Sequence, residues 1–182
     1  MKDIREQSSP EPRALFINGT VGVGKTSVAE GIGDLLADAG VPNAVIDLDW
    51  LRRSWPTPSG DRFNSGMMLR NLRGIAGNYL DAGAVRLVLA GVIEGAEDRK
   101  LCSDAIGVDL SVCRLRADLP VVHRRLARRH ENEPEALRWH VARAGELAAI
   151  LERAAVDDFT VDATTRSVAQ VAAEVAAGAG WL

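Results

Sequence analysis

Eight residues near the N-terminus, Gly19-Thr20-Val21-Gly22-Val23-Gly24-Lys25-Thr26, follow the pattern GxxxxGK[ST] of a loop that wraps phosphate. The chemistry needs these residue types in this order. Glycines let successive backbone N–H groups curl around phosphate oxygens with no Cβ in the way. A helix starting near Lys25 would aim its positive end at the same anion. Lys25 would neutralise the β- and γ-phosphates, and the Thr26 hydroxyl would coordinate Mg²⁺; Ser27 completes the nucleotide-binding positions. Chance would produce the pattern about 0.002 times in a chain of this composition. Only three residues of the chain are lysines (Lys2, Lys25 and Lys100), so Lys25 is poorly explained as incidental. The spacing does not fit the GxGxxG loop of dinucleotide-binding folds.

Carboxylates follow in Ile46-Asp47-Leu48-Asp49-Trp50-Leu51-Arg52. Alternation along a strand would put Asp47 and Asp49 on one side at its carboxyl end. A carboxylate there can take the proton of an acceptor hydroxyl as it attacks the γ-phosphate, or hold Mg²⁺. Asp49, further out, is the expected base; Asp47 is the second catalytic carboxylate and would join Thr26 on the metal. In the plainer alternative one aspartate caps a helix and the other is a solvated charge. The third apolar run, VRLVLAGV, does not end in an aspartate but continues into Ile93-Glu94. That argues against motor or GTPase machinery and leaves Glu94 as a secondary acidic candidate.

Arg124, Arg125, Arg128 and Arg129 form two pairs one helical turn apart. Planar guanidinium groups suit charge on a transferring phosphoryl group, with Arg128 expected to act there and Arg124 on the nucleotide. The alternative is a solvated face paired with Glu131, Glu133 and Glu135. Arg52, Arg70 and Trp50 are expected on the substrate side, with Arg73 and Trp55 as weaker candidates. His123, His130 and His140 have no metal-ligand spacing and read as structural or surface residues.

These groups need a scaffold. Short apolar runs at 14–18, 44–48, 85–92, 111–117 and 158–163 alternate with helical patterns, the last running through SVAQVAAEVAAG. The alternation predicts a three-layer α/β domain, a five-stranded parallel sheet with helices on both faces, and the loop motif after its first strand makes that a P-loop NTPase fold. Ligands of such sheets bind beyond the carboxyl ends of the strands, where the motifs fall. Residues 1–13 read as a flexible tail and 14–182 as one kinase-type domain. RSWPTPSGD (53–61) is too rich in Pro, Ser and Gly for anything but a loop.

Composition narrows the classes. The 182 residues carry a net charge of −3, so no overall basic field exists for nucleic acid or an anionic membrane. No secretory leader or membrane span is evident, and Cys102 and Cys113 lack metal-type spacing, which suits the cytoplasm. A monomer or homodimer acting on a small molecule is expected.

The phosphate loop together with Asp47-x-Asp49-x-x-Arg52 resembles the adenylylsulfate kinases, and the strand-two aspartate resembles that of chloramphenicol phosphotransferase. The resemblance implies a kinase using ATP and Mg²⁺, with Asp49 as the base for an acceptor hydroxyl. It also implies that the loop around Arg166 lies on the adenine side. It is strongest over residues 14–53. The family's N-[IL]-R-R falls on Met68-Leu69-Arg70-Asn71, and its F-I-S-P on Val92-Ile93-Glu94-Gly95. The acceptor, adenylylsulfate or an antibiotic-like alcohol, stays open. A zeta-toxin-like nucleotide-sugar kinase would share the loop and the basic lid, and a non-catalytic nucleotide-binding regulator would not require the aspartate pair.

Overall fold

The computed structural model describes residues 11–61 and 63–182. Most of the tail expected at 1–13 therefore lies outside the described residues, and Arg13 already belongs to the first strand. Five parallel strands, β1 (Arg13–Asn18), β2 (Asn43–Asp47), β3 (Arg86–Ala90), β4 (Asp109–Arg116) and β5 (Phe159–Asp162), form one sheet in the order β2-β3-β1-β4-β5. The strand bearing the phosphate loop is central, with Ile17 level with Ala90 on β3 and with Cys113 on β4.

Period-two alternation along β1 divides the core. Leu15 and Ile17 face α1 (Lys25–Asp38) and α7 (Val168–Gly178), while Ala14 and Phe16 face α3 (Ser65–Asp81) and α4 (Ala96–Ile106). Because both faces are covered, the inner strands read as continuous apolar runs rather than alternating ones. Helices α5 (Leu119–Arg129) and α6 (Pro134–Ala154) pack on each other through Val122, Leu126 and Ala144, against Val21 of the phosphate loop. No described helix is long and apolar enough to cross a membrane.

The chain leaves β1 for α1 on one face and leaves β3 for α4 on the other. The connections diverge, and a crevice opens between the ends of these neighbouring strands.

Two elements differ from the sequence reading. β2 ends at Asp47, and Leu48–Leu51 form a four-residue helix, α2, so Asp49 is not on a strand. Asp47 is the cause: its carboxylate accepts from Asp49 N at 2.8 Å and turns the chain into the helix. Helix α4 was not expected at all. Its segment AEDRKLCSDAI has only Leu101, Cys102 and Ile106 as large apolar positions, a faint stripe. Its ends carry the readable signals: Glu97 and Asp98 in the first turn and Gly107 at φ 76 closing the last.

Candidate functional site

The phosphate loop is built by conformations that glycine alone adopts readily. Gly19 has φ +144, and a Cβ there would lie 2.8 Å from Leu115 O. Gly24, at φ 109 and ψ 23, starts α1, so the helix N-terminus opens into the loop. Behind the loop, buried Asn18 acts as a clip. Its Oδ1 accepts from Gly19 N (2.9 Å) and Ile93 N (3.1 Å), and its Nδ2 donates to Ile93 O and Asp157 Oδ1, each at 3.1 Å. One side chain thus ties the ends of β1 and β3 to the start of β5. Burial raises the pKa of Asp157, against the pull of Asn18 and Arg114. Arg114 of β4 is itself buried and pairs with Glu152 of α6 at 2.7 Å.

Lys25 Nζ donates to Thr20 O at 2.9 Å, folding its ammonium back over the loop. Burial pushes its pKa down to about 8; Asp49 and Asp47 act in the opposite direction, and Arg129 adds to the fall. The Thr26 hydroxyl donates to Asp47 Oδ2 at 2.8 Å. Asp47 therefore uses one oxygen to cap α2 and the other to meet the loop threonine. Asp49 is exposed at 77% of its side chain and stands 3.7 Å from Arg52 Nε. Helix α2 is held to α3 by two asparagines, Asn64 Nδ2 donating to Arg52 O and Asn71 Nδ2 to Leu51 O, each at 2.8 Å. This docking sets the position of Asp49.

A cavity of about 700 Å³ begins at Lys25 and Asp49 and extends between α3, α4 and α6. Arg52, Phe63, Met68 and Trp139 line it, as do Glu94 and Arg143, which are paired with each other. A smaller cavity of about 200 Å³ lies on the other side of the loop, lined by Gly24, Ser27, Arg125, Arg166 and Val171 among others.

The arginines divide by helical face. Arg125 donates to Val23 O (2.9 Å) and Ala163 O (2.8 Å), joining α5 to the phosphate loop and to the loop before α7. Arg129, one turn on, places its charge near Lys25. Arg124, Arg128 and Arg129 are all exposed and line neither cavity. Arg166 pairs with Glu174 of α7 beside the smaller cavity. Of the arginines expected on the substrate side, Arg52 lines the large cavity, whereas Arg70 is exposed outside it. Trp50, 68% exposed, lies against Arg53 rather than in the cavity.

Sequence reasoning did not anticipate Phe63, Met68, Trp139 or Arg143. His140 was read as structural or surface; it stacks on His130 at 4.3 Å and also lines the cavity. These residues share no local motif. The single available hint was Glu94, directly after the third strand.

No protein-family model and no curated protein matches the sequence. Solved structures do. The tunicamycin resistance protein of Deinococcus radiodurans superimposes with a TM-score of 0.66 at 24% identity, over 94% of this chain and 97% of that one. A gluconokinase from Sinorhizobium meliloti gives 0.58 at 21%, covering 94% and 93%. The Mycobacterium tuberculosis APS kinase CysC, solved with AMPPNP and APS, gives 0.56 at 24%, covering 91% and 96%. Two of these structural neighbours bear kinase names, and the fold is shared with them: a five-stranded parallel α/β sheet with the phosphate loop after its central strand.

Proposed function

We propose that this chain is an ATP- and Mg²⁺-dependent kinase that transfers the γ-phosphate to a hydroxyl of a small molecule. The observation that carries the reading is that Lys25 and Asp49 line one cavity of about 700 Å³. The phosphate-binding end therefore opens directly into a volume able to hold an acceptor. A purely regulatory nucleotide site would have no use for it. The smaller cavity beside Ser27, Arg125 and Arg166 is the place for the base of a nucleotide whose phosphates sit in the loop.

Thr26 and Asp47 supply hard oxygen donors, and one or two protein oxygens suffice for Mg²⁺ when phosphates and water provide the rest. Bound there, Mg²⁺ would neutralise charge on the β- and γ-phosphates. Lys25 and the loop N–H groups hold those phosphates, and Arg129 stands nearby to balance charge as the phosphoryl group moves. Asp49 accepts the proton of the acceptor hydroxyl. The hydroxyl oxygen forms its bond to the γ-phosphorus in line as the bond to the β,γ-bridging oxygen breaks, giving ADP and a phosphate monoester.

The test is ATP-dependent phosphoryl transfer to a panel of alcohols, followed by Asp49→Asn on any acceptor found. Turnover should fall about 10²- to 10⁴-fold while ATP affinity is retained. Unchanged turnover would remove Asp49 as the base.

A further inference from the structure

The kinase reading leaves the acceptor unnamed, and the inference drawn next rests on that reading. The large cavity falls within the range of about 300–1,000 Å³ that encloses drug-sized ligands. Its lining is divided about evenly, with Met68, Leu69, Cys102, Leu147 and the half-exposed indole of Trp139 among the apolar groups and carboxylates and guanidinium groups among the polar ones.

The charges are arranged unlike those of an anion site. Apart from Lys25 at the phosphate loop, two guanidinium groups reach the cavity among its described lining residues, and both already face carboxylates. Arg143 pairs with Glu94 and donates to Glu146 at 2.7 Å. Arg52 stands 3.7 Å from Asp49. Another carboxylate, Asp98, lines the same wall and accepts from Glu94 N at 3.0 Å. An acceptor bearing a carboxylate, sulfate or phosphate would have to displace Glu94 or Glu146 from Arg143, or compete with Asp49 for Arg52, whose buried Nε makes no hydrogen bond of its own. The displaced group would then lie beside it as an uncompensated like charge. An uncharged molecule meets no such penalty: its hydroxyls can bond to the carboxylate oxygens while its apolar body covers Trp139 and Leu147.

We propose that the acceptor is an uncharged alcohol with an apolar or aromatic body, and that the Glu94–Arg143–Glu146 cluster is the specificity element that rejects anionic acceptors.

Two shape-matched pairs test this: 1-phenyl-1,2-ethanediol against mandelate, and 4-nitrophenyl β-D-glucoside against 4-nitrophenyl β-D-glucuronide. Each is titrated calorimetrically into the full chain with Mg²⁺ and AMPPNP. At least one neutral member should bind at least about tenfold tighter than its carboxylate partner, since each misplaced charge removes a charged hydrogen bond. Glu94→Gln, which loosens Arg143 from its cluster, should reduce that ratio at least about fivefold, and Glu146→Gln provides an independent second route to the same effect. Equal or tighter binding of the carboxylates, no binding by either neutral compound, or a ratio unmoved in both variants would overturn the proposal. AMPPNP binding that disappears in Lys25→Ala is a separate readout. If AMPPNP fails to bind, the kinase reading falls, while neutral-over-anionic selectivity is still measured on the nucleotide-free protein.

Discussion

The two ends of the candidate site are built on different principles. The phosphate end is one contiguous stretch, Gly19 to Thr26, held by backbone geometry and clipped from behind by Asn18. The end proposed for the acceptor is assembled from side chains of α2, α3, α4, α6 and two loops, with positions from Asp49 to Leu147 meeting around one cavity. Phosphate is the same ligand in every nucleotide, so a fixed loop of N–H groups serves it. An acceptor differs from enzyme to enzyme, and side chains on separate elements can change without disturbing the loop. If that contrast holds, the loop should be intolerant of substitution and the cavity rim tolerant.

The largest effect is expected at Lys25. Lys25→Ala should lower phosphoryl transfer by about 10³-fold or more and abolish measurable ATP binding in calorimetry. Retained affinity would break the division by moving phosphate recognition elsewhere. Next comes Gly19→Ala, which would strain a φ of +144 and press a Cβ to 2.8 Å from Leu115 O. A loss of about 2–3 kcal/mol in denaturant unfolding is expected. A change below about 0.5 kcal/mol would mean that the loop is not set by its backbone.

A pH series should show a smaller effect. With the folded-state pKa of Lys25 pushed down to about 8, the ammonium loses its proton above that pH in the free protein. Bound phosphate favours the charged form, so ATP affinity should fall by up to about tenfold per pH unit above 8 and be flat below it. The same shift acts on stability with a defined sign. Between about pH 8 and the ordinary lysine value the unfolded chain holds more protons, so the cost of burying the charge is relieved as pH rises through that window. An affinity flat from pH 7 to 10 would show that Lys25 stays charged in the free loop. Smallest of all is Trp139→Ala at the opposite end. The indole is half exposed and meets His140 edge-on at 4.9 Å, so stability and ATP affinity should change by less than about 1 kcal/mol. A large loss of ATP affinity would show that the two ends are not separable.

The same contrast explains what was legible in the sequence. Strands β1 and β3 announced themselves because strands covered on both faces are continuous apolar runs, whereas the edge strands β2 and β5 show alternating burial. The phosphate loop was legible because its function depends on consecutive backbone positions. Asp49 lines the cavity beside Lys25 but sits on a helix rather than on the strand expected for it. The N-capping bond of Asp47 to Asp49 N competes with strand alternation and wins. Helix α4 was missed because its apolar stripe is narrow, and with it went one wall of the cavity. Arg128 and Arg124 could not be ranked against Arg125 and Arg129 from spacing alone. Which side of α5 faces the loop depends on how Val122 and Leu126 pack against Val21.

The sequence by itself determined the sheet, the phosphate loop and the acidic segment after β2, because each is encoded over a few neighbouring residues. Only the tertiary structure decided that Arg129 places its charge near Lys25, that Glu94 meets Arg143 across 49 positions, and that Glu94 and Arg143 line one cavity. Those contacts arise where elements distant in the chain pack together, and no local pattern of residue types records the packing of distant elements.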